Sequence, residues 1–351
     1  MREIRVETAP AYSVLVGTGL LEQAGRHLRP VLPGETLCIV SDDTVSALYG
    51  DRLEAALRDA GYAVCRFVFP AGEGSKNGST YLSLLGFLAE QGLTRSDGIV
   101  ALGGGVTGDL AGFAAATYQR GIPFVQVPTS LLAMVDSSVG GKTAIDLPQG
   151  KNLAGAFYQP KLVLMDPDVL DTLPDTVFAD GMAEVIKYGF IADEAFLQKL
   201  ECSPSRAAVM EDMESVLYTC CDSKRQVVEE DELDTGARMI LNFGHTLGHA
   251  YELAGNYETW THGQAVAAGM VRAAEVGVEL GITPPELPGR IADLVGALSL
   301  PKHIACSDAD YEAAVGLDKK GAGESITLIL PDRPGHVIPY KIKKRELLGL
   351  L

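Results

Sequence analysis

Residues 97–118 read DGIVALGGGVTGDLAGFAAATY. The pattern predicts an apolar strand over 97–102, a glycine loop over 103–109 (GGGVTGD), and a helix of small residues over 109–118. Gly103, Gly105 and Gly108 satisfy G-x-G-x-x-G between a strand and a helix. In that setting glycines let the backbone approach a pyrophosphate at a helix N-terminus. They would equally suit a tight turn with close helix packing. No acidic residue stands about twenty positions further on, where a standard dinucleotide fold places its ribose carboxylate. Asp42, ending an earlier strand in IVSDDT, can reach a ribose hydroxyl instead.

Outward from the loop, strand and helix patterns alternate. Residues 2–6 and 12–16 read as a β-ribbon, 36–41 (TLCIVS) as a buried strand, 45–60 as a helix and 63–69 as another strand. That order implies parallel strands joined by crossover helices. From about Pro174 β-branched runs thin out and amphipathic helical segments dominate, apart from a strand-like piece over 325–330. The expected organisation is an α/β domain over residues 1–172, followed by a helical domain over 173–351. A chain of 351 residues is long enough for two cores.

The formal charge of −17 and pI near 4.8 argue against nucleic acid and anionic membranes as partners. MREIRVETAP is charged where a secretory signal is apolar, and no run is long enough to span a bilayer, so a cytoplasmic location is expected. The six cysteines form no CxxC pair and read as reduced thiols.

The second informative stretch is Leu241–Met270, LNFGHTLGHAYELAGNYETWTHGQAVAAGM, which holds three of the six histidines. His245 and His249 stand four apart on one helical face, a spacing that metal sites and proton-transfer sites both use. In ADGMAEVIKYG (179–189), Glu184 and Lys187 stand three apart. They suit a surface ion pair. Alternatively, Glu184 with His245 and His262 would make a two-histidine, one-carboxylate set that leaves positions on Zn²⁺ open for a substrate oxygen.

VGGKT (139–143) fails as a phosphate-binding P-loop, because Asp136 occupies the position of its first glycine. Asp136, Lys142, Lys151 and Asn152 then remain in a polar, glycine-rich segment suited to an anion. Lys224 and Arg238 flank an acidic patch over 229–234, as paired surface charges or as anion ligands.

Residues 103–160 (GGGVTGDLAGFAAATYQRGIPFVQVPTSLLAMVDSSVGGKTAIDLPQGKNLAGAFYQP), 173–189 (LPDTVFADGMAEVIKYG), LNFGHTLGHAYE and THGQAVAAGM resemble the 3-dehydroquinate synthase family, with similar segments spread from Asp42 to Lys320. The resemblance implies an α/β NAD-binding domain with a parallel sheet, then an all-α metal-binding domain, an active site in the cleft between them and a homodimer. It implies a phosphorus–oxygen lyase of the shikimate route that turns a sugar-acid phosphate, 3-deoxy-D-arabino-heptulosonate 7-phosphate, into 3-dehydroquinate. NAD and Zn²⁺ or Co²⁺ are the implied cofactors.

Carried over residue by residue, Glu184, His245 and His262 become the metal ligands, and His249 a proton-handling, phosphate-contacting residue. NAD falls to Asp42, Glu73, Lys76, Gly105, Val106, Thr107, Gly108, Asp109, Thr129, Ser130, Lys142, Lys151 and Thr172. Substrate and catalysis fall to Asp136, Lys142, Asn152, Lys187, Lys224, Arg238, Asn242 and one of Lys319 and Lys320. Ser130 replaces a usual threonine, Met134 a usual glutamine and Gln264 a usual glutamate. The last is expected to weaken electrostatic support around the metal. Two other readings are another sugar-phosphate cyclase, whose substrate lacks the carboxylate, and a metal-dependent polyol or alcohol dehydrogenase, which would release NADH.

Overall fold

The computed structural model describes residues 1–256, 258–317 and 323–351. The chain forms two compact units, Met1–Leu173 with Lys224–Leu233, and Pro174–Ser223 with Asp234–Leu351. The helix Met213–Glu230 runs through that division. Lys224 therefore belongs with the first unit, although its place in sequence lies well past residue 173.

The first unit is built on a seven-stranded sheet. In chain order its strands are β1 (Arg2–Val6), β2 (Tyr12–Val16), β3 (Thr36–Asp42), β4 (Ala63–Phe69), β5 (Gly98–Gly103), β6 (Phe124–Pro128) and, after the separate hairpin β7 (Lys142–Leu147) and β8 (Gly150–Phe157), β9 (Leu162–Met165). The spatial order is β1-β2-β9-β6-β5-β3-β4. Only β1 and β2 pair antiparallel; every other neighbour in the sheet is parallel. Parallel strands bury both faces, which is why β5 and β6 are buried at every residue. The short β6 and β9, and the hairpin β7–β8 in a stretch read as a polar loop, are what the residue pattern did not disclose.

The helix after β5 starts at Gly105, four residues before the predicted start, and runs to Thr117. A Cβ at Gly108 would meet the Gln126 side chain on β6, so this glycine lets the helix lie tight on the sheet. Its Ncap, Gly104, offers no side-chain hydrogen bond, which leaves the first-turn N–H groups for a ligand.

The second unit is helical with one antiparallel hairpin, β10 (Ser325–Arg333) and β11 (His336–Lys343), of which the strand-like 325–330 is the beginning. Three of its helices matter most, Asp175–Ala192, His245–Ala254 and His262–Glu279. The first is buried from Gly181 to Ile191, so it carries Glu184 and Lys187 into the interior rather than to the surface. Glycines set how closely the three pack. A Cβ at Gly263 would run into the Asp180 carbonyl oxygen, and one at Gly269 into that of Gly244. Gly244 itself is left-handed (φ +79°) and caps the His245 helix. Among the described residues, no helix is long and apolar enough to cross a membrane.

Gly269→Ala tests this packing. Helix propensity alone favours alanine by about 1 kcal/mol, yet forcing a methyl onto a backbone oxygen should destabilise the protein by about 1–3 kcal/mol. Urea unfolding is expected to show a lowered midpoint; an unchanged or raised midpoint would contradict the close contact.

Candidate functional site

The first unit gathers several of the expected cofactor residues at one edge of its sheet. The strand order reverses between β3 and β5, and ligands of such sheets sit at the carboxyl ends of strands beside such a reversal. Asp42 ends β3, Glu73 and Lys76 follow β4, Gly105–Asp109 follow β5, and Thr129 and Ser130 follow β6. The Thr129 N–H donates to the Gly103 carbonyl at 3.0 Å. Asp42 Oδ1 accepts from the Val45 N–H at 2.9 Å, so this carboxylate also caps a helix. Thr172, beyond β9, shares a short hydrogen bond with the Tyr49 hydroxyl.

Lys76 is buried against three carboxylates, Glu73 at 2.8 Å, Asp109 at 3.3 Å and Asp146 at 4.0 Å. Burial works against its charge, but Asp109 and Glu73 outweigh that and hold its pKa above the usual lysine range. Burial pushes Asp109 up to about 6 despite Lys76.

Asp136 pairs with Lys224, which is almost fully buried, at 2.7 Å. Lys224 is therefore an interior cation rather than a solvated surface charge, while its partner Asp136 is half-buried. Lys142, Lys151 and Asn152 lie exposed on the hairpin β7–β8, where the Asn152 N–H donates to Asp146 Oδ1 at 2.7 Å. In the second unit Arg238 is buried in the turn Ala237–Asn242 that leads to the histidine helix, and Asn242 ends it half-buried. Lys319 and Lys320 lie outside the described residues.

Also in the second unit, one ligand atom each from Glu184, His245 and His262 lie within 4.8 Å of one another, the one such group among the described residues. Glu184 Oε1 is 3.4 Å from His245 Nε2 and 3.7 Å from His262 Nε2. Ligands about 2.1 Å from a tetrahedral zinc stand about 3.4 Å apart, so this set fits a divalent metal. The His245 and His262 rings lie 5.2 Å apart. Their other nitrogens have partners too. His245 Nδ1 lies 3.2 Å from the Phe243 carbonyl and His262 Nδ1 3.5 Å from Glu252 Oε1, contacts of the kind that orient metal-bound imidazoles. Glu184 Oε2 pairs with Lys187, and both are fully buried.

His249 shares a helical face with His245 but does not join the ligand group. It is largely exposed, and its Nδ1 bonds Glu252 Oε2 at 2.7 Å.

The titration of the metal-free cluster follows from these neighbours. Burial, with Lys187 and the other histidines, pushes His245 down to about 3 in spite of Glu184. Burial also opposes charge on His262, but Glu184 and Glu252 outweigh it and raise its pKa to about 10. Burial would raise Glu252, yet His249 and His262 hold it well below the usual carboxylate range.

Two family descriptions match the chain, 3-dehydroquinate synthase N-terminal over residues 66–180 and 3-dehydroquinate synthase C-terminal over 181–321. A 3-dehydroquinate synthase of Clostridium botulinum (strain Alaska E43 / Type E3) is 46% identical over 338 residues, 96% of this chain and 97% of that protein. The chain belongs to the 3-dehydroquinate synthase family. Solved structures with the same fold include 2-deoxy-scyllo-inosose synthase complexed with carbaglucose-6-phosphate, NAD⁺ and Co²⁺ (TM-score 0.90, 26% identity, 99% of each chain). Another is the 2-epi-5-epi-valiolone synthase ValA of Streptomyces hygroscopicus subsp. jinggangensis 5008 with NAD⁺ and Zn²⁺ bound (TM-score 0.87, 28% identity, 97% of this chain and 95% of that one).

One departure from the family pattern has a local role in the structure. The Gln264 side chain caps a helix. Its Oε1 accepts from the Thr261 N–H at 3.1 Å while its own N–H donates to Thr261 Oγ1, a capping box that starts the His262 helix. A carboxylate beside the candidate ligand His262 is Glu252, which sequence reasoning passed over. Its signal was available, three residues after His249 on the same helix. Asp180 was also missed; its Oδ1 accepts the Gly263 N–H at 2.6 Å at the start of that same helix.

In this family member the raised pKa of His262 sets a proton cost on metal loading. At neutral pH zinc must displace about one proton from His262, while His245 has none to lose. Calorimetry in buffers of different ionisation heat should record about one proton released. Zinc affinity should climb about tenfold per pH unit as pH rises toward the His262 pKa. A pH-independent affinity would refute the ionisation pattern. His262→Ala should lose zinc and activity while leaving the far-ultraviolet circular dichroism unchanged; stoichiometric zinc in that variant would remove His262 from the ligand set.

Proposed function

We propose that the chain converts 3-deoxy-D-arabino-heptulosonate 7-phosphate into 3-dehydroquinate and phosphate, as a homodimer in the cytoplasm. The route is transient NAD-dependent oxidation, phosphate elimination, re-reduction and intramolecular aldol closure. The observation that carries the proposal is the Glu184, His245 and His262 group, built on a fully buried carboxylate, in a chain 46% identical, over nearly its whole length, to a 3-dehydroquinate synthase. When bound, the metal supplies Lewis acidity at a substrate oxygen, and NAD a hydride acceptor restored in each turnover.

The residues divide the remaining work. Glu184, His245 and His262 hold the metal, and Lys187 balances the Glu184 charge from inside the protein. His249, exposed and with its Nδ1 tied to Glu252, is the group free to hand protons to and from the substrate at Nε2. Arg238 takes the substrate carboxylate through its planar fork. Lys142, Asn152, Lys224, Asn242 and Lys319 take phosphate and hydroxyl groups, with Asp136 holding the Lys224 ammonium in place. Asp42, Glu73, Lys76, residues 105–109, Thr129, Ser130, Lys142, Lys151 and Thr172 hold NAD, with the open first turn at Gly105 at its pyrophosphate. Eliminating phosphate also removes a proton from the neighbouring carbon, which the departing phosphate's own oxygen takes with His249 or Lys187 assisting, and the many charged contacts keep the substrate oriented and dry for that step.

A second reading is a cyclase for a sugar phosphate without a carboxylate, favoured by the likeness to 2-deoxy-scyllo-inosose synthase. The test is a phosphate-release assay with NAD⁺, Zn²⁺ and 3-deoxy-D-arabino-heptulosonate 7-phosphate, with NADH absorbance followed in parallel. Stoichiometric dehydroquinate and phosphate, no net NADH and abolition by a chelator are expected. Phosphate release only from sedoheptulose 7-phosphate or glucose 6-phosphate would establish the second reading, and steady NADH accumulation a dehydrogenase. Arg238→Met should cost about 2–5 kcal/mol in kcat/KM for the carboxylated substrate; an unchanged kcat/KM would remove Arg238 from the carboxylate site.

A further inference from the structure

Glu252 lies on the His245–Ala254 helix and is only 5% exposed. A carboxylate so buried is unfavourable unless its oxygens are paired. Both oxygens have histidine partners, and the partners differ. Oε2 takes His249 Nδ1 at 2.7 Å from one turn earlier on its own helix, and Oε1 lies 3.5 Å from Nδ1 of His262, the first residue of another helix. An ionised carboxylate only accepts hydrogen bonds, so the Nδ1 of His249 is the donor in its bond, and the 3.5 Å contact favours a hydrogen on the Nδ1 of His262 as well. A neutral imidazole with its hydrogen on Nδ1 has its lone pair at Nε2. For His262 that is the nitrogen 3.7 Å from Glu184 Oε1, on the metal side of the ring.

We infer that Glu252 is a positioning residue which, from one buried carboxylate, fixes the tautomer and orientation of both the metal ligand His262 and the exposed base His249. This deepens the proposed function and rests on its assignment of metal and base. A carboxylate that served only to staple one helix turn would have no reason to reach the second helix. One that served only the metal would have no reason to take the shorter bond to His249. Metal retention and proton transfer would thus share a single support, and changing it should disturb both by separable routes.

The test uses the full chain with Glu252→Gln, which keeps the shape but replaces one acceptor oxygen by an NH₂ group, and Glu252→Asp, which keeps the carboxylate on a shorter stem. Zinc affinity is read by competition with a chromogenic chelator, without turnover, so it stands even if the assigned substrate is wrong. E252Q should weaken zinc about 10–100-fold with an unchanged circular dichroism spectrum, and E252D should fall between it and the parent. At saturating zinc, E252Q should still lower kcat at least tenfold with KM within threefold. In a His249→Ala background it should add little further loss of kcat, while its zinc defect persists in full. Zinc affinity within twofold of the parent in E252Q would overturn the link to His262. Full additivity of the kcat losses in the double variant would overturn the link to His249. Should E252Q fail to fold, E252D decides: parental zinc affinity and kcat in that variant would also overturn the proposal.

Discussion

The second unit is organised around a carboxylate with no exposure to solvent. Glu184 sits in a helix buried on nearly every side. An uncompensated buried charge costs several kcal/mol, so the surrounding structure must bring cations or metal to it. Lys187 comes from the same helix, one turn on, while His245 and His262 come from two others. Those rings reach Glu184 only because backbone approaches backbone at Gly263 and Gly269, where a side chain would collide with a carbonyl oxygen. The glycines of GHTLGHA and HGQAVAAGM are thus as necessary to the site as the histidines between them. In the metal-free protein the arrangement leaves one imidazole neutral and one charged, since His245 has lost its solvent without gaining enough negative neighbours and His262 has gained two.

The first unit meets a different constraint with different means. A parallel sheet buries its strands on both faces and exposes chemistry only at its edges, so residues far apart in sequence share one carboxyl edge. Glu73, Lys76 and Asp109 come from the ends of two such strands and meet at one buried ammonium. In a chain of net charge −17, basic groups that are buried, Lys76, Lys187, Lys224 and Arg238, run against the overall balance. Each of the three lysines is matched by a carboxylate of its own, which is how an acidic protein keeps cations inside at tolerable cost.

Periodicity and punctuation revealed much of this. The alternating strands and helices of the first half, the glycine loop after β5 and the change to helices near Pro174 are local patterns, and local patterns are what a sequence displays. The family motifs carried the rest of the residue assignments, because each is a contiguous string. What stayed hidden was non-local or too short to show a period. β6 and β9 have five and four residues, and the β7–β8 hairpin looks polar because its second strand is largely exposed. Whether Lys224 is a surface charge or an anion ligand stayed open because burial depends on what packs over it, and the helix cap made by Gln264 stayed hidden because only the fold shows where its side chain turns.

The sequence by itself determined the two-part architecture, the glycine loop between a strand and a helix, and the identities of the metal-ligand candidates, since those depend on residue type at fixed spacing. Only the tertiary structure decided that Glu184 and Lys187 are interior, that Glu252 lies between His249 and His262, and that the Gln264 side chain caps a helix. The reason is geometric. A helix places side chains on faces, but which face meets which neighbour is settled by how closely two backbones can approach. Here that is decided by glycines whose partners lie more than twenty residues away.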